Sequence, residues 1–180
     1  PSCEYNPFEA VASNIVGSQN VINDALKNGL DKVVAISTDK VVDPVGVMGT
    51  SKLMMEKLII NANYYEGDIG TKFSCVRFGN VAWSEASVLP LWKKQAEHRQ
   101  KINLTDREAT RFFMSIDKAD KLVLKAAEIS QGGEVFILKM PSIKMSDLSE
   151  IFIKKHFIAK KVRIKIINKR IGDKTHEELF

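Results

Sequence analysis

Apolar positions recur with a helical period over residues 6–28, where Phe8, Val11, Ile15, Val21, Ile22, Ala25 and Leu26 line one broad face. Asn6-Pro7 starts this helix, because Pro is tolerated at the first helical position, and Asn28-Gly29 stops it. Residues 32–37 switch to a short β-branched run, the pattern of a buried parallel strand. A second helix is predicted over 47–65, closed by Glu66-Gly67, and a second strand over 71–78, ended by Gly79-Asn80. Helix, strand, helix, strand at this spacing predicts an α/β fold of βαβ units around a parallel sheet. Ligands of such sheets bind beyond the carboxyl ends of the strands, which points to the loops 37–46 and 79–87.

The second half is less regular. A helix is expected over 88–98, with Pro90 in its first turn, and short extended pieces over 102–104 and 111–114. A helix over 116–129 stops near Gly132-Gly133, and a strand follows over 134–138. A last helix covers 146–157 with Ser146 as its N-cap, and residues 162–167 alternate apolar and basic as a half-exposed strand does. There is no internal repeat and no low-complexity segment.

Composition narrows the class. The 180 residues are 44% hydrophobic and 27% charged, which suits a folded chain of one ordinary domain, or of one domain plus a small lobe. No apolar run reaches the length of a membrane span. Cys3 and Cys75 are too few for a disulfide scaffold, and packing roles in a reduced cytoplasmic setting are expected for both. The formal charge of +5 permits an anionic partner without naming one. His98, His156 and His176 are far apart and no metal is expected. Neither a G-x-G-x-x-G turn nor a G-x-x-x-x-G-K-[ST] loop occurs. The chain opens on Pro1 without a signal-like segment, so it is expected to be a later piece of something longer.

Candidate chemistry sits in the loop after the first strand, Ser37-Thr38-Asp39-Lys40. It gathers a hydroxyl, a carboxylate and an amine at one strand end. Lys52 lies on the adjoining helix and shares a face with Met48, four residues earlier. Two ammonium groups near each other lower each other's pKa, which leaves one as a base near neutrality. A solvated turn and a surface helix lysine are the plain alternatives on spacing alone.

The segments Pro1-Ser2-Cys3-Glu4-Tyr5-Asn6-Pro7, Asn14-Ile15-Val16-Gly17-Ser18-Gln19-Asn20-Val21, Ser37-Thr38-Asp39-Lys40 and Arg77-Phe78-Gly79-Asn80-Val81 resemble the extended short-chain dehydrogenase/reductase superfamily. Within it they are similar to the polysaccharide-biosynthesis branch, the inverting UDP-N-acetylglucosamine 4,6-dehydratases. Later matches follow in order at Leu104-Thr105-Asp106, at 110–115, at 132–136, at Lys139-Met140-Pro141-Ser142 and at 172–179. The resemblance implies the later part of a Rossmann-like parallel sheet with a small C-terminal substrate lobe, the glycine-rich unit lying upstream. It implies a partial nucleotide-binding domain over 1–83, a substrate-lobe insertion over 84–111, a return to the sheet over 112–139 and the C-terminal lobe over 140–180.

In that family NADP⁺ (or NAD⁺) takes a hydride from C4 of the sugar, water is lost across C5 and C6, hydride returns to C6, and inverting members reprotonate C5 on the opposite face. The resemblance makes Asp39 and Lys40 the acid and base of the elimination. It makes Thr38 the hydroxyl that bonds the C4 oxygen and Lys52 the amine that holds the nicotinamide ribose. Met48 stands where most of the superfamily has a Tyr that accepts the C4 hydroxyl proton, a task no thioether performs. One long, membrane-anchored branch of these dehydratases is similar in carrying Met there. Thr38, Asp39, Lys40 or a water are the remaining proton acceptors, and Met48 also reads as a core filler beside Met54 and Met55.

The resemblance assigns Val81, Ala82, Trp83 and Ser84 to the cofactor-contacting loop, and Asn80, Val88, Thr105, Arg170 and Asp173 to the nucleotide sugar. Glu85-Ala86 replaces the family's usual Arg-Gly, and Asp173 is one methylene shorter than the usual Glu. Ordinary packing is expected of Trp83 and Trp92, with flanking of the sugar as the alternative. The basic stretch Lys160, Lys161, Arg163, Lys165, Lys169 and Arg170 reads as a solvated face that also concentrates phosphate ligands. The expected partner is a UDP-sugar, with no specific nucleic acid, homo-oligomerisation in the full-length protein, and membrane attachment only through an upstream region. A nucleotide-sugar-binding or assembly domain that has lost acid–base function is the alternative.

Overall fold

A computed structural model describes residues 2–65, 70–85, 87–158 and 161–180. Pro1, the Glu66-Gly67 helix stop, Ala86 and Lys160 lie outside the described residues. In chain order the elements are α1 (Ser2–Tyr5), α2 (Pro7–Val11), a π-helical stretch (Ala12–Val16), α3 (Gly17–Lys27), β1 (Lys32–Thr38), a 3₁₀ turn (Asp39–Val41), α4 (Val47–Asn61), a second 3₁₀ turn (Ala62–Tyr64), β2 (Lys72–Phe78), β3 (Asn80–Val81), α5 (Val88–Arg99), β4 (Lys101–Leu104), β5 (Thr110–Met114), α6 (Ile116–Ile129), β6 (Val135–Ile137), β7 (Ser142–Lys144), α7 (Met145–His156) and β8 (Arg163–Ile166). They form two units. The first contains Pro1–Phe78, Asp117–Lys139 and Glu178–Phe180; the second contains Gly79–Ile116 and Met140–Glu177.

The first unit holds a parallel sheet in the order β1-β2-β6, with Lys32 opposite Lys72, Thr38 opposite Phe78, and Cys75 opposite Val135. The α/β class and the parallel pairing are those expected from the sequence. β2 is central, and its run Phe73-Ser74-Cys75-Val76 is fully enclosed, which explains why it is not an alternating strand. Ile22 and Ala25 from α3 and Met55 and Ile59 from α4 pack on Phe73 and Cys75.

The helix expected over 6–28 is interrupted by the wider π turn at Ala12–Val16. There Asn14 Nδ2 donates to Ser51 Oγ at 3.0 Å, tying the stretch to α4. α4 begins after Gly46, which has no capping side chain, and Glu4 supplies the cap instead: its Oε1 accepts the Val47 N–H at 2.7 Å. A carboxylate is favoured there by the unpaired amides and positive end of the helix. α4 ends at Asn61, earlier than expected. The cause is Asn63, whose amide clips β2: Nδ2 donates to the Phe73 carbonyl at 2.9 Å and Oδ1 accepts the Phe73 N–H at 2.9 Å.

The second unit holds a mixed sheet, β3-β5-β7, with β3 parallel and β7 antiparallel to β5, and a parallel pair β4-β8. Its core joins Trp92, Ile102, Leu104, Phe113, Phe152 and Phe157. Trp92 Nε1 donates to the Asn103 carbonyl at 2.8 Å, satisfying a buried indole. The strands β3 and β7 are too short to carry a readable period. Ser146 is not the N-cap of the last helix. Lys144 holds that place, α7 starts at Met145, and the Ser146 hydroxyl donates to Asp147 Oδ1 at 3.2 Å. Among the described residues no helix is long and apolar enough to cross a membrane.

Removing the Glu4 cap leaves helix amides unpaired. Glu4→Ala is expected to lower stability by about 1 kcal/mol, seen as a lower urea midpoint at unchanged m-value.

Candidate active site

Thr38 closes β1 in an extended conformation, and the chain then turns tightly through Asp39–Val41. Three side chains meet at this strand end. The Thr38 hydroxyl donates to Asp39 Oδ1 at 3.0 Å, Lys40 Nζ donates to the same oxygen at 2.8 Å, and the Lys40 N–H reaches Thr38 Oγ1 at 3.4 Å. The Asp39 side chain is 0% exposed and that of Lys40 is 32% exposed. Asp39 Oδ2 is buried with no partner among the described residues. An enclosed carboxylate with an idle oxygen is costly unless that oxygen serves a ligand or a proton.

The turn is held from beneath by α4. A Cβ added at Gly49 collides with the Lys40 carbonyl oxygen and comes within 3.1 Å of Pro44 Cβ. Gly49 therefore acts through the space it leaves. Val41, 2% exposed, seats the far side of the turn.

Lys52 lies one turn beyond Met48 on α4. Its Nζ donates to the Ile36 carbonyl of β1 at 2.8 Å and contacts Met55 Sδ at 3.4 Å. Burial pulls its pKa below the usual lysine value, partly opposed by the nearby Cys75 thiol. The cause is thus not the neighbouring ammonium that the sequence suggests, since Lys40 is paired with Asp39. Met48 is half-buried, and its carbonyl accepts the Ser51 hydroxyl at 3.2 Å. Met55 is buried, whereas Met54 is 49% exposed, so the methionines form no single core cluster.

Sequence reasoning missed a buried network behind this strand end. Arg77 grips Glu56 with both prongs, Nε to Oε2 at 3.0 Å and Nη2 to Oε1 at 2.6 Å, and its Nη1 donates to the Leu179 carbonyl at 2.8 Å. The Ser37 hydroxyl donates to Glu56 Oε2 at 2.8 Å. Burial pushes the Glu56 carboxyl up, but hydrogen bonds from Arg77 and Ser37 and the guanidinium charge outweigh it and hold it below the usual range. The bond to Glu56 leads the causes that raise the Arg77 guanidinium. Burial likewise pushes the adjacent Cys75 thiol up to about 12, so it packs rather than reacts. The available signal was a pair of opposite charges inside apolar runs, Glu56 in Leu53–Ile60 and Arg77 in Phe73–Phe78.

The other predicted residues belong to the second unit. Asn80 and Val81 form β3, and the Ala82 N–H extends that pairing to the Met114 carbonyl at 2.9 Å. Trp83 adopts a left-handed φ of 65°, unusual for a bulky side chain, with its ring edge-on to His156 at 5.6 Å. The Ser84 hydroxyl donates to the Val81 carbonyl at 2.8 Å. Glu85 is exposed, Val88 opens α5, and Thr105 is half-buried after β4. Arg170 and Asp173 are exposed on one turn, closed by the Asp173 N–H to the Arg170 carbonyl at 3.2 Å. Of the basic stretch, Lys161, Arg163 and Lys165 are exposed, while Lys169 pairs with Asp106 at 2.7 Å. Among the described residues no group of three or more His, Cys, Asp and Glu is placed to hold a metal ion.

The whole chain, residues 1–180, matches the family described as polysaccharide biosynthesis protein. It is 51% identical over 185 residues to an uncharacterized membrane protein of Methanocaldococcus jannaschii, covering 100% of this chain and 56% of that protein. It is 42% identical over 178 residues to an inverting UDP-N-acetylglucosamine 4,6-dehydratase of Campylobacter jejuni, covering 98% of this chain and 52% of the relative. The solved structure of Pen from Bacillus thuringiensis matches with a TM-score of 0.95 at 44% identity, covering 98% of this chain and 55% of that one. The chain thus spans about half the length of the relatives it matches.

Two outcomes are expected. Gly49→Ala forces the 39–41 turn and α4 apart and lowers stability by about 1–3 kcal/mol, read as a lower urea midpoint. Because the folded Glu56 pKa lies below its ordinary 4.5, the stability it contributes is complete above that pH and is lost as pH falls through the folded value. Urea titrations below about pH 4.5 should therefore show a steeper loss for the parent than for Glu56→Gln.

Proposed function

The chain belongs to the polysaccharide-biosynthesis branch of the extended short-chain dehydrogenases/reductases, and from that footing we propose that it carries the acid–base half of a nucleotide-sugar 4,6-dehydratase acting on UDP-N-acetylglucosamine. The observation that carries this reading is the Thr38–Asp39–Lys40 cluster, a hydroxyl and an amine on one carboxylate oxygen at the end of a parallel strand.

NADP⁺ or NAD⁺ fits this strand end at Lys52. An ammonium has three donors, and two of them face the Ile36 carbonyl and Met55 sulfur, which leaves one for a ribose hydroxyl. When bound, the nicotinamide supplies the hydride acceptor for sugar C4 and the hydride donor for C6. Val81, Ala82, Trp83 and Ser84 are proposed to contact the cofactor. Asn80, Val88, Thr105, Arg170 and Asp173 are proposed to contact the UDP-sugar, Arg170 by forked pairing with a phosphate.

The chain's own groups move the protons. Thr38 donates its hydroxyl hydrogen to Asp39 and accepts the Lys40 N–H, which leaves one lone pair to accept a hydrogen bond from the sugar C4 hydroxyl. That proton passes through Thr38 to Asp39, a route that needs no phenol at position 48. With Lys40 as amine and Asp39 as carboxylate at the outset, the C4 proton leaves an amine beside a carboxylic acid, 2.8 Å apart. In the amine form Lys40 removes the C5 proton, and Asp39 returns its proton to the leaving C6 hydroxyl through the groups bonded to it. The cluster ends as ammonium and carboxylate, which balances the loss of water. Protonated Lys40 then supplies the proton that C5 regains.

Met48 favours a second reading, a nucleotide-sugar-binding domain without turnover. The two readings separate when the full-length protein containing this chain is incubated with NADP⁺ and UDP-N-acetylglucosamine and followed by proton NMR. A 4-keto-6-deoxy product is expected, and its absence favours the binding domain. Lys40→Ala is expected to lower turnover by about 10²–10⁴, and turnover at the parental rate in that variant overturns the assignment of Lys40.

A further inference from the structure

The Glu56 carboxylate ties together three segments of the first unit and, through Arg77, a fourth. It sits on α4, accepts the Ser37 hydroxyl from β1 at 2.8 Å, and accepts both prongs of Arg77 from β2. Through Arg77 it reaches the Leu179 carbonyl of the C-terminal segment. Its side chain is 4% exposed and that of Arg77 is 15% exposed. Three hydrogen bonds on two carboxylate oxygens, two of them from a rigid planar fork, leave α4 little freedom to slide or roll against the sheet.

Position along the helix turns this restraint into a functional one. Lys52 lies one turn before Glu56 on the same face, and its amine rests on the carbonyl of Ile36, the residue before Ser37. Ser37 in turn precedes Thr38, Asp39 and Lys40. One carboxylate therefore holds the helix that carries Lys52 and the strand end that carries the acid–base cluster. A sliding error of 1 Å in α4 separates the Lys52 amine from its carbonyl, and such displacements are costly in catalysis.

We propose that Glu56, through its forked pair with Arg77 and its bond to Ser37, is the positioning residue that sets where the Lys52 amine and the Thr38–Lys40 strand end stand relative to each other. The proposal deepens the dehydratase reading in its catalytic part, but the placement of Lys52 is measurable whatever reaction the protein runs. The titratable group that bears on Lys52 is Cys75 on β2, and Cys75 in turn feels the Glu56–Arg77 pair. Replacing Glu56 by Gln keeps the volume and removes the charge that holds the fork.

The test follows the acylation of Lys52 as a function of pH, using a neutral amine-reactive ester and peptide mass spectrometry on the folded chain. In the parent, Lys52 should titrate below ordinary surface lysines, as its burial against β1 requires. In Glu56→Gln, circular dichroism should show a folded chain while the Lys52 titration moves back toward the ordinary lysine range and the limiting labelling rate, reached once the amine is fully deprotonated, rises several-fold. Glu134→Gln is the control. That carboxylate ties only its own turn, through the Ser130 hydroxyl and the amides of Gln131 and Gly132, so its loss removes a structural tie without touching α4. An unchanged Lys52 titration in Glu56→Gln, or an equal change in Glu134→Gln, overturns the proposal.

If Glu56→Gln does not fold, Arg77→Lys replaces it. It keeps the charge and loses the fork, and a smaller shift of Lys52 in the same direction is expected; no shift overturns the proposal. In the full-length protein, Glu56→Gln should lower kcat by tenfold or more with KM for the UDP-sugar within about threefold, the split expected when reacting groups are misplaced and binding is spared. Absence of turnover in the parent counts against the dehydratase reading alone, because the Lys52 titration still reports the role of Glu56.

Discussion

The distance between α4 and the end of β1 governs this structure, and it is set by an absent methyl group. At Gly49 the helix backbone lies against the Lys40 carbonyl, closer than any side chain permits. That approach brings Lys52 within reach of the Ile36 carbonyl and Glu56 within reach of Ser37. The three contacts fall on one side of α4, within two of its turns, and each presumes the others. Packing at this density couples the three contacts, so a displacement of the helix strains all of them together.

Electrostatics at the strand end follow from that seating. Asp39 and Glu56 are both enclosed carboxylates, yet they are provided for differently. Glu56 has a partner for each oxygen and behaves as a structural anion. Asp39 has its partners crowded on Oδ1 and nothing among the described residues on Oδ2. A satisfied carboxylate beside one with a free oxygen separates the framework from the chemistry, because a buried carboxylate oxygen is costly to leave unpaired unless a ligand or a proton uses it. The half-exposed Lys40 and Thr38 connect that enclosed acid to the outside.

Much of this was legible before any coordinates. The period of residues 6–28 and 47–65, the β-branched runs and the punctuation by Gly and Pro located the long elements, since these signals are local and repeated. Thr38, Asp39 and Lys40 were legible as a cluster because they are adjacent in sequence and follow a strand. What escaped depends on contacts between distant positions. Glu4 caps a helix 43 residues away, Asn63 clips Phe73 across a turn, and Arg77 finds both Glu56 and Leu179. No period marks such pairs. β3 and β7 escaped for another reason: two or three residues cannot display an alternation. The supposed N-cap Ser146 failed because strand β7 runs directly into α7, and the Met145 amide is taken by the Ala109 carbonyl.

Trp83 carries a final consequence. A bulky residue in the left-handed region stores backbone strain, which persists only while the surroundings outweigh it. Here the restraint comes from the ring's contacts with Phe152 and His156 near the end of α7 and from the Ser84 bonds to Val81. The segment that follows β3 is thus a loaded spring latched by an aromatic catch. Fraying of the last turn of α7 frees the indole and lets the backbone there relax, so the shape of this loop reports on a helix more than sixty residues further along the chain.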